Sequence, residues 1–361
     1  MPARLNGVAW QTPGAGLALV LLAGLAALFH SQSAGVGAGP AETAGTPDQV
    51  EVYFTDPGAQ DSARHRGGPD WALAAAMDSA RQSIDVAVYS LNLWSIRDAL
   101  ISAHRRGVRV RVVTESDNIL GPEIAEIERA GIPVIGDRRE TLMHDKFVVI
   151  DRQEVWTGSM NLTVGSAYDD NNNLIRLQSA PVASEFTLEF DEMFVEDLFG
   201  PLSLVGAPHG RLPVGATSVE VLFAPEDRVA ARLTELIRGA SSSIDFLAYT
   251  FTSDALADAM LERARTGVRV RGVFERDMAD SLGSEFPRLR QAGIKVRQDG
   301  NWGLMHHKVL LIDGRTVVTG SYNFTRSAEE GNDETVVLLD DPSVARAFQQ
   351  EFERMYAAAG D

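Results

Sequence analysis

The chain contains no cysteine. That excludes disulfides, thiolate nucleophiles and Cys-based metal sites at once. Positive charge is also scarce: 33 Lys and Arg stand against 50 Asp and Glu, a formal net charge of −17. A surface of that sign repels polyanions at long range and excludes a generic basic coat for nucleic acid, although it leaves room for a local positive pocket. Long hydrophobic runs are absent except near the start. Residues 14–29 (GAGLALVLLAGLAALF) form a run of 16 apolar or small residues behind Arg4. Small residues follow at Ala34, Val36 and Ala38. Two readings stay open: a cleaved signal peptide, or an uncleaved anchor giving membrane association through 14–29. In both, the remainder of the protein works outside the cytoplasm: secreted, periplasmic, or held on the outer side of the membrane.

What is present is ordinary for a globular protein, with 45% apolar and 23% charged residues over 361 positions. That length suits two domains. The body is an internal duplication. MHDKFVVIDRQEVWTGSMNLT (143–163) and MHHKVLLIDGRTVVTGSYNFT (305–325) share 11 of 21 positions at an offset of 162. QSIDVAVYS matches SSIDFLAYT, and RRGVRVRVVTESD matches RTGVRVRGVFERD. Val182, Phe186, Phe190 and Met193 match Val344, Phe348, Phe352 and Met355, an apolar stripe at helical spacing. The expected organisation is residues 1–49 as leader or anchor plus tether, a first domain over 50–198, a Gly/Pro-rich linker over 199–218, and a second domain over 219–361. Alternating strands and helices in each repeat predict an α/β protein of two duplicated α/β-sandwich domains packed about a pseudo-twofold axis. The arginines of the GVRVR strands are expected to cover the helices that pack on the sheet.

The repeated motif carries the chemistry. A strand has a period of two, so His144 and Lys146 share a face while Asp145 points away. Ser159 and Asn161 share a face on the return strand. His306, Lys308, Ser321 and Asn323 repeat the pattern. Each half thus offers an imidazole, an ammonium, a hydroxyl and a carboxamide. Lys, Ser and Asn together make an anion cradle, and His supplies a nucleophile or proton donor near neutral pH. Two such sets facing one another would place a nucleophile and an acid on opposite sides of one phosphorus. His307 is expected to face away from the pocket and Trp302 to line its mouth or pack. Asp169, Asp170, Glu329 and Glu330 are read as solvated acids near the site.

His-x-Lys-x4-Asp followed by Gly-Ser-x-Asn, present twice in register, resembles the phospholipase D superfamily over nearly everything from residue 50 onward. The resemblance implies the phospholipase D fold and a phosphodiesterase in which one His forms a phosphohistidine intermediate and the other protonates the leaving group. The Lys, Ser and Asn residues would neutralise the nonbridging oxygens. It implies no metal and no cofactor, and no convincing ligand set for a metal stands out. Asp151 and Asp313 match the family's motif aspartate, with structural turn or salt-bridge roles expected. The family often has an acidic residue behind the motif His. The second half has Glu334; the first-half counterpart, allowing one deletion, is Asn173. From this, His306 backed by Glu334 is expected to be the acid, and His144 backed by Asn173 the nucleophile. The leading expectation is a phospholipase D hydrolysing glycerophospholipids to phosphatidic acid and a free head group. The alternatives are an exported endonuclease acting on DNA or RNA, and a non-enzymatic phosphate-binding module. Both motifs sit in one chain, so a monomer is expected.

Overall fold

Apolar stretches such as IDVAVYS and IDFLAYT are too short for helices and too hydrophobic for a half-exposed strand, and they form the buried centres of two sheets. The computed structural model describes residues 49–204 and 210–360. The apolar run 14–29 and part of the linker therefore lie outside the described residues. No helix among the described residues is long and apolar enough to cross a membrane.

The first half runs β1 (Gln49–Phe54), α1 (Pro69–Ser79), β2 (Ser83–Val88), α2 (Trp94–Arg105), β3 (Arg109–Thr114), α3 (Pro122–Arg129), β4 (Val134–Gly136), β5 (Lys146–Ile150), β6 (Glu154–Gly158), α4 (Val164–Tyr168), β7 (Asn173–Gln178) and α5 (Ala180–Glu196). The second runs β8 (Leu212–Val214), β9 (Thr217–Ala224), α6 (Val229–Gly239), β10 (Ser243–Ala248), α7 (Asp254–Arg265), β11 (Arg269–Phe274), α8 (Arg276–Ala279), α9 (Phe286–Gln291), β12 (Lys295–Gln298), β13 (Lys308–Ile312), β14 (Thr316–Gly320), α10 (Arg326–Glu330), β15 (Glu334–Asp340) and α11 (Pro342–Ala358). The sheet orders are β1-β7-β6-β5-β2-β3-β4 and β12-β11-β10-β13-β14-β15-β9-β8. In both, the motif hairpin sits mid-sheet and pairs antiparallel with the first buried strand, Val88 opposite Lys146 and Ala248 opposite Lys308. The sequence reading missed β7 and β15, which begin one residue after Asn172 and at Glu334.

One face of each sheet turns to a common core. The stripes on α5 and α11 fill it with Phe186, Phe190, Phe348 and Phe352. Phe186 packs edge-on against Phe147 of its own half and Phe223 of the other, at 5.1 and 5.3 Å between ring centres. Burial of this kind contributes about 1.5–3 kcal/mol per large side chain, so the described residues form one compact unit. The opposite faces carry separate apolar clusters under α1–α3 and α6–α9. The GVRVR arginines serve packing. Arg111 pairs with Asp85 at 2.7 Å and lies over the Phe190 ring, and Arg271 pairs with Asp245 at 2.9 Å and lies over Phe352.

The seam between halves is symmetric. Met143 bridges Asp333, and Asn171 bridges Met305. His144 N donates to Asp333 O, and His306 N donates to Asn171 O, both at 2.9 Å. Each motif histidine is therefore threaded onto the other half's chain, as a pseudo-twofold relation requires.

Candidate active site

The backbone first fixes where the histidines stand. Glu115, at the end of β3, accepts from Met143 N at 2.8 Å; Glu275, at the end of β11, accepts from Met305 N at 2.6 Å. These two buried carboxylates anchor the residue before each histidine. Gly158 and Gly320 close the motif hairpins at φ +148° and +146°, and a Cβ there would drive into the carbonyls of Asn173 and Thr335. Only glycine lets those strands approach.

Both rings are buried, and each Nδ1 is held by the opposite half. His144 Nδ1 lies 2.7 Å from Glu334 Oε2. His306 Nδ1 lies 3.0 Å from Asn172 Oδ1 and 3.2 Å from Ser159 O. All these partners accept, so Nδ1 carries the proton in both rings and Nε2 is left as the reactive nitrogen. The ammoniums complete the site: Lys146 donates to His144 O at 2.6 Å and Lys308 to His306 O at 2.8 Å. Tyr89 and Tyr249 wedge between them. Tyr89 lies 5.2 Å from His144 and 5.4 Å from Lys146; Tyr249 lies 4.7 Å from both His306 and Lys308. Sequence reasoning passed over both tyrosines, although they occupy the same place in the matched segments VAVYS and FLAYT.

Burial, then Lys146 and Lys308, push His144 well below its usual value; burial and the same ammoniums, with His144, do so for His306. Burial also lowers Lys146 to about 8 against the pull of Glu334 and Asp145; burial and then Lys146 push Lys308 well below its usual value. Burial raises Glu334 to about 7, opposed by Lys146, Asn332, Ser321 and Lys308. The resting site gathers two buried lysines and two neutral imidazoles, and a bound anion would favour the charged form of both lysines.

Several expectations are corrected here. Glu334 backs His144, not His306. Its equivalent at the unbroken offset of 162 is Asn172, so no deletion is needed. Asn173 touches neither catalytic ring; its amide donates to His307 Nδ1 at 3.0 Å, which makes His307 a donor to Glu351 at 3.1 Å on the far side of the strand. The hydroxyls of Ser159 and Ser321 do not face an anion cradle. They donate inward, to Asn172 Oδ1 at 2.9 Å and Glu334 Oε2 at 2.6 Å, bracing the groups that hold the rings. Asp170 and Glu329 are not simply solvated: Asp170 accepts from Leu304 N at 3.0 Å, and Glu329 accepts from Tyr322 at 2.9 Å. Asn161 and Asn323 bury their amide oxygens without hydrogen-bond partners. Asp151 and Asp313 sit at the far end of the sheets, where they accept from the backbone of Arg81–Ser83 and Ser241–Ser243. Although its partial burial opposes this, those donors hold Asp313 well below the usual carboxylate range. Among the described residues no group of three or more acids and histidines is arranged to hold a metal ion.

Two buried imidazoles and two ammoniums close enough to act on one another suit a phosphoester-handling protein. The comparisons agree. The profile of the family described as "Cardiolipin synthase, PLD-like domain" matches residues 73–194 and again 233–356. A mitochondrial cardiolipin hydrolase of Chlamydomonas reinhardtii is 36% identical over 162 residues, covering 45% of this chain and 73% of its own. A phospholipase D of Rickettsia prowazekii is 32% identical over 136 residues, 38% of this chain and 66% of its own. In fold, the chain is similar to a phosphatidylserine synthase of Haemophilus influenzae, with a TM-score of 0.60 at 14% identity over 86% of this chain and 89% of that one. The chain belongs to the phospholipase D-like family and is a phospholipase D-type phosphodiesterase, a hydrolase.

Proposed function

We propose that the protein hydrolyses the head-group phosphodiester of glycerophospholipids, with His144 as nucleophile and His306 as general acid. One observation carries the assignment: among the described residues the only carboxylate hydrogen-bonded to either ring, Glu334, sits on His144 Nδ1. A phosphorylated imidazole that keeps its Nδ1 proton is a fixed cation. The carboxylate stabilises that cation, whereas the Asn172 amide on His306 offers only a dipole. Nε2 of His144 attacks phosphorus and the N–P bond forms as the bond to the head-group oxygen breaks. His306, protonated once the diester anion offsets the two ammoniums, gives its Nε2 proton to the leaving oxygen. Water then attacks phosphorus while His306 takes back a proton, the N–P bond breaks, and phosphatidic acid leaves. Lys146, Lys308 and the amides of Asn161 and Asn323 meet the nonbridging oxygens.

A lipid substrate is supported by the names of the relatives and by a net charge that disfavours nucleic acid. The run 14–29 supports an extracytoplasmic setting, and two complete motifs in one chain support a working monomer. The test is to incubate purified protein with phosphatidylcholine in mixed micelles with EDTA present, quench in alkali and map phosphate by mass spectrometry. Phosphatidic acid and a phosphoryl group on His144 are expected, both lost in His144→Ala. Phosphate on His306 would reverse the roles; cleavage of DNA without any lipid product would replace the substrate.

A further inference from the structure

The catalytic edge of the sheets carries exposed apolar side chains that no part of the chemistry uses. Leu120 and Leu282 are 91% and 101% exposed. They are equivalent, in LGPE and LGSE, at the same offset of 162 as the motifs. Each lies in the loop after the strand that ends at the anchoring Glu115 or Glu275. The first loop is tied to the site, since Asn118 donates to Tyr89 O at 2.9 Å and Tyr89 packs on His144. Trp302, 70% exposed, stands four residues before His306. Trp71 and Trp94, both more than half exposed, flank a groove of about 530 Å3. Leu93, Val164 and Tyr168 also line it, and the same helix, α4, accepts from Asn172 through Ser166 O at 2.9 Å. Five large apolar side chains thus ring one edge, the edge where the histidines lie.

We infer that this rim is a docking surface for a zwitterionic phospholipid–water interface, into which Leu120, Leu282 and Trp302 insert so that the hollow opens onto the head groups. The inference rests on the proposed lipid substrate. Charge selects the occupant. The 33 Lys and Arg are outnumbered by 50 Asp and Glu, and two of the three lysines are the buried Lys146 and Lys308. With a net charge of −17, adsorption cannot be driven by attraction to anionic lipid, as a polybasic surface would be. It has to come from apolar insertion, for which leucine supplies area and tryptophan the amphipathic ring that favours the head-group level. Isolated side chains on two symmetric loops suit a fluid interface better than a shaped protein partner.

The test compares wild type, Leu120→Asp/Leu282→Asp, and Leu188→Asp as a control, Leu188 being exposed midway along α5. Binding is read by cosedimentation with phosphatidylcholine vesicles and by tryptophan fluorescence. Turnover is read on vesicles and on monomeric short-chain phosphatidylcholine. The rim variant should lose about 10–100-fold on vesicles, in binding and turnover, while monomer turnover stays within about twofold of wild type. The control should match wild type in every arm, and wild-type binding should survive high salt. Unchanged vesicle binding in the rim variant, an equal loss in the control, binding abolished by salt, or a wild-type dimer by light scattering that the rim variant disperses would each overturn the surface. Failure of the wild type on both lipid forms would sink the catalytic reading instead, and the binding arm would still decide the docking surface.

Discussion

His144 and Glu334 meet across the seam, Nδ1 to Oε2 at 2.7 Å, although 190 residues separate them. Neither half therefore holds its own motif histidine unaided. The histidine comes from the start of a strand in one sheet, and its carboxylate from the start of a strand in the other. Glu334 also accepts from Ser321 and Asn332, at 2.6 and 3.0 Å, which fixes its orientation before any substrate arrives.

Glu334→Gln keeps an acceptor for the ring proton and removes the charge. The proposed cationic intermediate then loses its counter-ion, and kcat should fall on the order of 10²–10³-fold, the scale of losing one preorganised electrostatic partner. The pH profile adds a second readout. Burial raises Glu334 to about 7. The carboxylate is the working form, so wild-type rate should climb as pH rises through that value. The variant should lack this limb. A variant with normal kcat and an unaltered acid limb would remove Glu334 from the mechanism.

The one-residue difference between Asn172 and Asn173 gives a sharper test. Asn172→Asp places a carboxylate on His306 Nδ1 and favours its protonated form. The basic limb of the profile, set by loss of the acid's proton, should move to higher pH. Asn173→Asp alters the far side of the strand, beside His307, and should leave the limb in place. The opposite result, measured as kcat/KM against pH for both variants, would return the catalytic contact to Asn173.

Much of this arrangement was legible in the sequence because it is written at short range. Strand periodicity put His144 with Lys146 and turned Asp145 away, and the offset of 162 announced the duplication. What escaped was long-range. Which half's acceptor reaches which ring depends on how the halves are threaded, and no local pattern encodes that crossing. The serines looked like phosphate donors because residue type was readable while their inward hydrogen bonds were not. Tyr89 and Tyr249 were hidden inside segments that read simply as buried strands. Asn172 was within reach: an unbroken offset points to it, and the assumed deletion moved the reading one residue along.

Gly320 tests the backbone of the site. Gly320→Ala meets two obstacles, a φ of +146° and the Thr335 carbonyl within contact distance. Gly314, at φ +61° with open space around it, meets only the first. Gly320→Ala should destabilise by about 1–3 kcal/mol or more and depress activity, because Thr335 follows Glu334. Gly314→Ala should cost about 1 kcal/mol and leave turnover near normal. Denaturant melts of both variants separate the outcomes; equal, small losses would mean the close approach at Gly320 is not needed.

The pseudo-twofold relation also exposes an imbalance away from the chemistry. In the second half His307 and Arg354 surround Glu351, with contacts of 3.1 and 2.7 Å, and their donors hold its carboxyl below the usual range despite burial. At the equivalent place in the first half stand Asp145, Glu189 and Glu192. Burial lifts Glu189 well above its ordinary value, with Glu226, Asp145, Asp333 and Glu192 adding repulsion. Burial raises Glu226 to about 8, helped by Asp227 and Asp145. Burial likewise raises Asp145 to about 7, with Glu334 adding to it while Thr335 and Lys146 oppose. Among the described residues the cation bonded to this group is Arg139, on Asp333. Groups whose folded values are raised bind more protons folded than unfolded, so stability is full in acid and declines as pH rises from the ordinary carboxylate range through about 8. The buried histidines, with Lys146 and Lys308, act in the opposite sense but are outnumbered by the raised acids Asp145, Glu189, Glu226, Asp333 and Glu334. Tm should therefore fall between pH 5 and pH 8. Glu226→Gln, which keeps the shape and removes the ionisation, should raise Tm at pH 8 and flatten the slope. A variant with the same slope as wild type would show that the cluster does not control the pH dependence of folding.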